Sequence, residues 1–203
     1  MTEPIKLNPD WQKTLPYASF WVRSVSDWVK SLPDRSFYEL WDSVIDPKWL
    51  LYMGSAGGAS HRQIVTAVCN VARLCLSAVP DRADIREALE MAESWCLGTV
   101  TAQQVEVARL KIYDVIQTYT HKYATVDAEQ YSYHAAMAVS YACLVVSYVD
   151  VSFRITYASE VVESAIRAGV WSKPICEEIR KGLPFEAPKE ARTSFWRRLV
   201  SQE

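Results

Sequence analysis

The chain has 203 residues, with 22 Lys and Arg against 24 Asp and Glu, a formal charge of −2, and 50% hydrophobic residues. That length allows one sizeable core, and the near-neutral charge excludes the broad electropositive footprint of a dedicated nucleic-acid binder. Six glycines in the whole chain, well under the usual share of about 7%, exclude a turn-rich all-β protein, so a helical globule is expected.

From the N-terminus, residues 1–16 carry Glu3, Asp10, Lys13, Pro4 and Pro9 with no apolar run, unlike a signal peptide. Residues 17–32 place Phe20, Val25, Trp28, Val29 and Leu32 near one helical face, ended by Pro33. Asp34 or Ser36 caps a short helix over 37–44, closed by Asp46-Pro47, and 48–53 reads as one or two further turns. Gly54, Gly57 and Gly58 form a glycine cluster leading into Ser60-His61-Arg62-Gln63, a capping box. Apolar residues then recur at three- and four-residue steps from Ile64 to Leu76, until Pro80 stops the helix. Asp81 or Asp84 caps the next helix, with Ile85, Ala88, Leu89, Ala92 and Trp95 as its stripe and Gly98 as its left-handed terminator.

Thr99 or Thr101 opens a long helix to about 126, and Asp127 opens another, over about 128–168, ending at Gly169. Both lack glycine and only a few residues separate them, so an antiparallel hairpin is expected as the spine of an all-α multi-helix bundle. Ala135, Ala136, Ala138, Ser140 and Ala142 favour close helix approach there, with tyrosines filling the gaps. Residues 149–157 are the nearest thing to a strand, but they continue the helix without a breaker. A short helix follows over 174–181, then a linker and a basic-aromatic helix containing Phe195, Trp196, Arg197 and Arg198 within 184–203. The expected organisation is a single all-α domain over 1–203, with 1–35 as an N-terminal extension. Trp11, Trp21, Trp28, Trp41 and Trp49 are expected to dock the N-terminal helices onto the hairpin.

Chemistry-bearing patterns are sparse. The five cysteines are odd in number and make no CxxC pair, which fits buried reduced thiols in a cytoplasmic protein. The apolar stretch 134–149 is shorter than the ~20 residues that span a bilayer, so no membrane partner is expected. His61 sits at a helix start after the glycine cluster, but the loop lacks the Gly-Lys-Ser/Thr ending of a phosphate-binding loop. Glu87, Glu90 and Glu160, Glu163 make two ExxE pairs, the arrangement with which all-α pyrophosphatases hold magnesium; a metal-dependent nucleotide hydrolase is therefore the alternative reading. The plainer reading is a solvated carboxylate face. No GxSxG or HExxH motif occurs. No catalytic residue, metal ligand or cofactor is assigned.

A resemblance carries the functional expectation. Trp41, then Asp46-Pro47-Lys48-Trp49-Leu50-Leu51-Tyr52-Met53, then Val68-Cys69-Asn70-Val71-Ala72-Arg73-Leu74, is similar to a phage and bacterial family of all-α immunity proteins. Asp84-Ile85-Arg86, Ala88-Leu89-Glu90, Ala92-Glu93-Ser94-Trp95 and Gly98 extend the pattern. The resemblance implies a non-enzymatic inhibitor, antitoxin-like, that neutralises a toxin or defence effector by covering its surface. A phage structural or assembly component is a further alternative, and a homodimer is left open. The expected partner surface is the hairpin tip, around His121, Tyr123, Tyr131 and His134.

Overall fold

Helix starts are set locally, by side chains that satisfy amides no preceding turn can reach. In the computed structural model, which describes residues 4–11, 36–120 and 127–185, several starts carry such a cap. Ser36 and Glu39 exchange hydrogen bonds at the start of α1, Phe37–Ser43. Asp46 caps α2, Pro47–Ala56, with the proline at the first helical position, where its missing N–H costs nothing. The Ser60–Gln63 box opens α3, His61–Leu74, and a 3-10 turn over Cys75–Ala78 finishes that segment. Neither Asp81 nor Asp84 caps α4, Ala83–Cys96; Asp84 lies in its first turn and pairs with Arg82. Thr101 and Gln104 exchange bonds at α5, Ala102–Thr120. Three helices follow: α6, Asp127–Ser147; α7, Val151–Arg167; and α8, Ser172–Gly182. Among the described residues there is no strand, only one isolated bridge between Ile5 and Phe185.

The helices pack as two layers of three, α8–α3–α4 against α7–α6–α5, with α2 across the α7–α8 edge. The middle of the molecule is α3, which touches α2, α4, α6, α7 and α8. Its Ile64, Val65, Ala67, Val68, Cys69, Val71 and Ala72 are all buried. The α3 helix touches the most other helices, while the most extensive pairings are those of α6 with α7 and with α5. The α3–α8 contact is unusually close. A Cβ added to Gly182 would lie 2.5 Å from the Ala67 Cα, so only a glycine fits.

The long helix expected over 128–168 is two helices. Asp150 accepts from the Ser152 and Phe153 amides and starts α7. Arg154, only 9% exposed, turns back to donate to the Tyr148 and Val149 carbonyls left open at the end of α6. His61 Nε2 lies 2.7 Å from the Val145 carbonyl and closes the same helix end. The hairpin with a visible turn is α6–α7, whose antiparallel pairing buries Ala135, Ala138, Ala142, Ala158, Val161 and Val162. α5 also packs along α6, but the residues between them, 121–126, lie outside the described residues. So do the expected helix over 17–32 and the basic-aromatic segment beyond 185.

Of residues 4–11, Ile5 and Trp11 are buried in the core, and Phe185 packs against it. The Ile5 amide donates to the Pro184 carbonyl and the Asn8 amide to the Gly57 carbonyl. Trp11, Phe37, Trp41 and Phe185 form an aromatic cluster with centroids 4.7–5.8 Å apart. Trp11 and Trp41 anchor the α1–α2 end against the residues after α8, and α2, which carries Trp49, packs on α7; Trp21 and Trp28 lie outside the described residues. Arg180 of α8 donates to the Trp41, Asp42 and Val44 carbonyls, closing the end of α1. Gly54 is helical, within α2, so the glycine cluster is a loop only from Gly57 onward.

Candidate functional site

A stripe along one face of α6 links the expected hairpin tip to the α6–α7 turn. His134 and Tyr141 are seven residues apart, which returns them to nearly the same direction on the helix, and Tyr148 follows one residue past its end. The rest of α6 is sealed: Ala135, Ala138 and Ala142 are buried beside the stripe, and on the opposite side the buried Cys143 thiol lies 3.4 Å from the Ala88 carbonyl. The tyrosine face consequently looks outward, flanked by α5 and α7.

The rings on this face form a ladder across the α6–α7 seam. Tyr141 stacks on Tyr157 with centroids 6.1 Å apart, Tyr157 on Tyr148 at 4.8 Å, and Tyr148 lies 5.7 Å from Phe153. The hydrogen bond to Tyr148 raises the Tyr157 phenol above its ordinary pKa, and burial raises Tyr141, so both remain neutral donors. At the turn the apolar surface is open: Val149 is 82% exposed, Phe153 58% and Val151 46%. Nothing in the fold requires a phenylalanine and two valines in water there. Such a patch next to half-buried tyrosines is the composition that dominates protein interfaces.

Tyr131 and His134 lie at the far end of this face. Tyr131 is half exposed and rests against Gly169, where α7 has ended. His134 packs edge-on to Tyr133, and burial, followed by the Arg167 charge, lowers its pKa. His121 and Tyr123 lie outside the described residues.

The other candidates are engaged in structure. His61 is held by the Val145 carbonyl and packs tilted against Trp95 with centroids 4.8 Å apart, over which Arg62 sits at 6.0 Å; its ring nitrogen is engaged with the end of α6 and not with an anion at the α3 N-terminus. Glu163 binds Lys48 and Arg167, and Glu93 binds Arg73. The two ExxE pairs do not converge: among the described residues, no three His, Cys, Asp or Glu side chains are placed to hold a metal ion. All five cysteines are free. Burial pushes the Cys75 and Cys143 thiols up to about 12, which keeps them protonated and poor nucleophiles. No buried polar side-chain atom among the described residues lacks a partner, so none is left aimed at a missing reactant.

Sequence reasoning missed Phe153, Tyr157, Val149 and Val151. The apolar pattern stays in phase through 148–155, which hid the turn. The one local signal was Asp150 followed by Ser152, an N-cap residue inside an otherwise apolar run. Comparison with known protein families, characterised proteins and solved structures finds no match to this chain.

Proposed function

We propose that this chain is a non-catalytic protein-binding inhibitor, of immunity or anti-defence type, that neutralises a partner protein by covering its surface with the α6–α7 face. The observation that carries this is the open aromatic and apolar surface at the α6–α7 turn, Val149, Val151 and Phe153 beside the tyrosine ladder. The sequence resemblance to all-α immunity proteins supports the same reading and supplies the partner class, a toxin or defence effector. The inward-held His61 and the scattered ExxE pairs favour binding over hydrolysis.

The test is purification from the native host with and without a face variant. The parent chain is expected to bring down a stoichiometric protein partner. The Phe153→Ser, Tyr157→Ala double variant is expected to bind that partner roughly tenfold or more weakly while its helical circular dichroism is unchanged. Tyr131→Ala, at the far end of the stripe, is expected to weaken binding less. Full affinity in the double variant, or nucleotide turnover by the lone chain, overturns the proposal.

A further inference from the structure

The end of α6 is closed from two directions. Arg154 of α7 donates to the Tyr148 and Val149 carbonyls, and His61 of α3 meets the Val145 carbonyl at 2.7 Å. A carbonyl accepts, so Nε2 carries the proton of this bond and Nδ1 is the bare nitrogen of the neutral ring. The bond ties the first residue of α3 to the last turn of α6, just ahead of the turn that presents Val149, Val151 and Phe153.

A second proton on this ring is poorly placed. His61 opens α3, where the helix dipole makes a positive end. Arg62 follows it in α3, and Arg154 lies across from it on α7. From α4 come the Trp95 ring, packed against His61, and the Cys96 thiol at the Arg62 carbonyl, which burial keeps protonated and neutral. The carboxylate of the turn, Asp150, already accepts from the Ser152 and Phe153 amides and offsets Arg154. The negative end of α6 attracts a cation, but Arg154 already supplies one. Burial, joined by the Arg154 charge, outweighs the pull of the Val145 bond and holds the His61 pKa below 6.5. A proton that binds poorly to the docked ring binds better once the ring swings into water, so proton uptake and undocking are linked.

We infer that His61 is a proton-operated latch on the α6–α7 turn: taking up a proton withdraws the ring from the Val145 carbonyl and loosens the last turn of α6. The latch belongs to the chain alone and stands whether or not the α6–α7 face binds a partner.

The test is NMR relaxation dispersion on the full chain, which detects a minor conformer exchanging on the microsecond to millisecond timescale. Such exchange is expected at the Val145, Val146 and Ser147 amides, with the minor population rising about fivefold from about pH 7 to about pH 5. Ala88 and Leu89, buried in α4, are expected to show none. In His61→Gln, which has an amide donor but takes up no proton, the population is expected not to change with pH. His134, beside Tyr133 and between the Arg167 and Glu163 charges, also titrates on α6, and the His61 variant separates the two. A rise that persists in His61→Gln overturns the inference, as does a parent chain without dispersion in the last turn of α6. The ring titration of the parent checks the premise without any variant: a His61 midpoint at or above 6.5 overturns it too.

Discussion

The α3–α8 seam and the α6–α7 seam solve the same problem in opposite ways. At the first, side chains are removed: Gly182 sits so close to Ala67 that the two backbones nearly touch. At the second, small residues line only the buried side, while Tyr141, Tyr148, Tyr157 and Phe153 build the outer edge. The inner seam has one acceptable occupant at its closest point. The outer seam tolerates change better, because its rings are only partly buried and Phe153 lies mostly in water. A surface free to vary without cost to the fold is where recognition is most easily placed, and that contrast separates scaffold from interface in this molecule.

The largest expected effect probes the inner seam. Gly182→Val drives a branched side chain into the Ala67 backbone, and overpacking of that kind costs about 3 kcal/mol, read as a lower midpoint in urea unfolding. An unchanged midpoint there breaks the contrast. Next comes the turn that creates the outer seam. Arg154→Met leaves the Tyr148 and Val149 carbonyls without their donor, an expected loss of about 1–2 kcal/mol. Part of that loss is offset because burial already disfavours the Arg154 charge. The smallest effect is a pH dependence at the same helix end. Burial, with Arg154 acting in the same direction, lowers the His61 pKa below its ordinary value of 6.5. The unfolded chain therefore takes up the proton first, and stability present above about pH 6.5 is lost as pH falls toward the folded value. His134 acts with the same sign. Thermal melts at about pH 7 and about pH 5 are expected to differ, and to differ less in His61→Gln.

Elements with their own punctuation were legible in the sequence. The Ser36 cap, the Ser60 box, Asp46-Pro47 and the Gly98 and Gly169 terminators, both at positive φ, act within a few residues of themselves. What escaped is set by distant partners. The turn at Tyr148–Asp150 depends on Arg154 folding back and on His61 reaching across from α3. The central position of α3 depends on five neighbours, while its own apolar pattern resembles that of any amphipathic helix. Of the expected partner surface, Tyr131 and His134 fall on the outward stripe because helical register alone places them there. The exposed end of that stripe required the turn to be seen first.

The Arg180 contact has a bearing on how the chain matures. Three carbonyls at the end of α1 find their donor only in α8, and the ring cluster beside them is completed by Phe185. A nascent chain emerging from the ribosome has made α1 and α2 long before the residues that secure them exist. Its early helices wait with open acceptors and bare indoles until more than a hundred further residues are synthesised. Closure by contacts so distant in sequence is of the kind that slows folding.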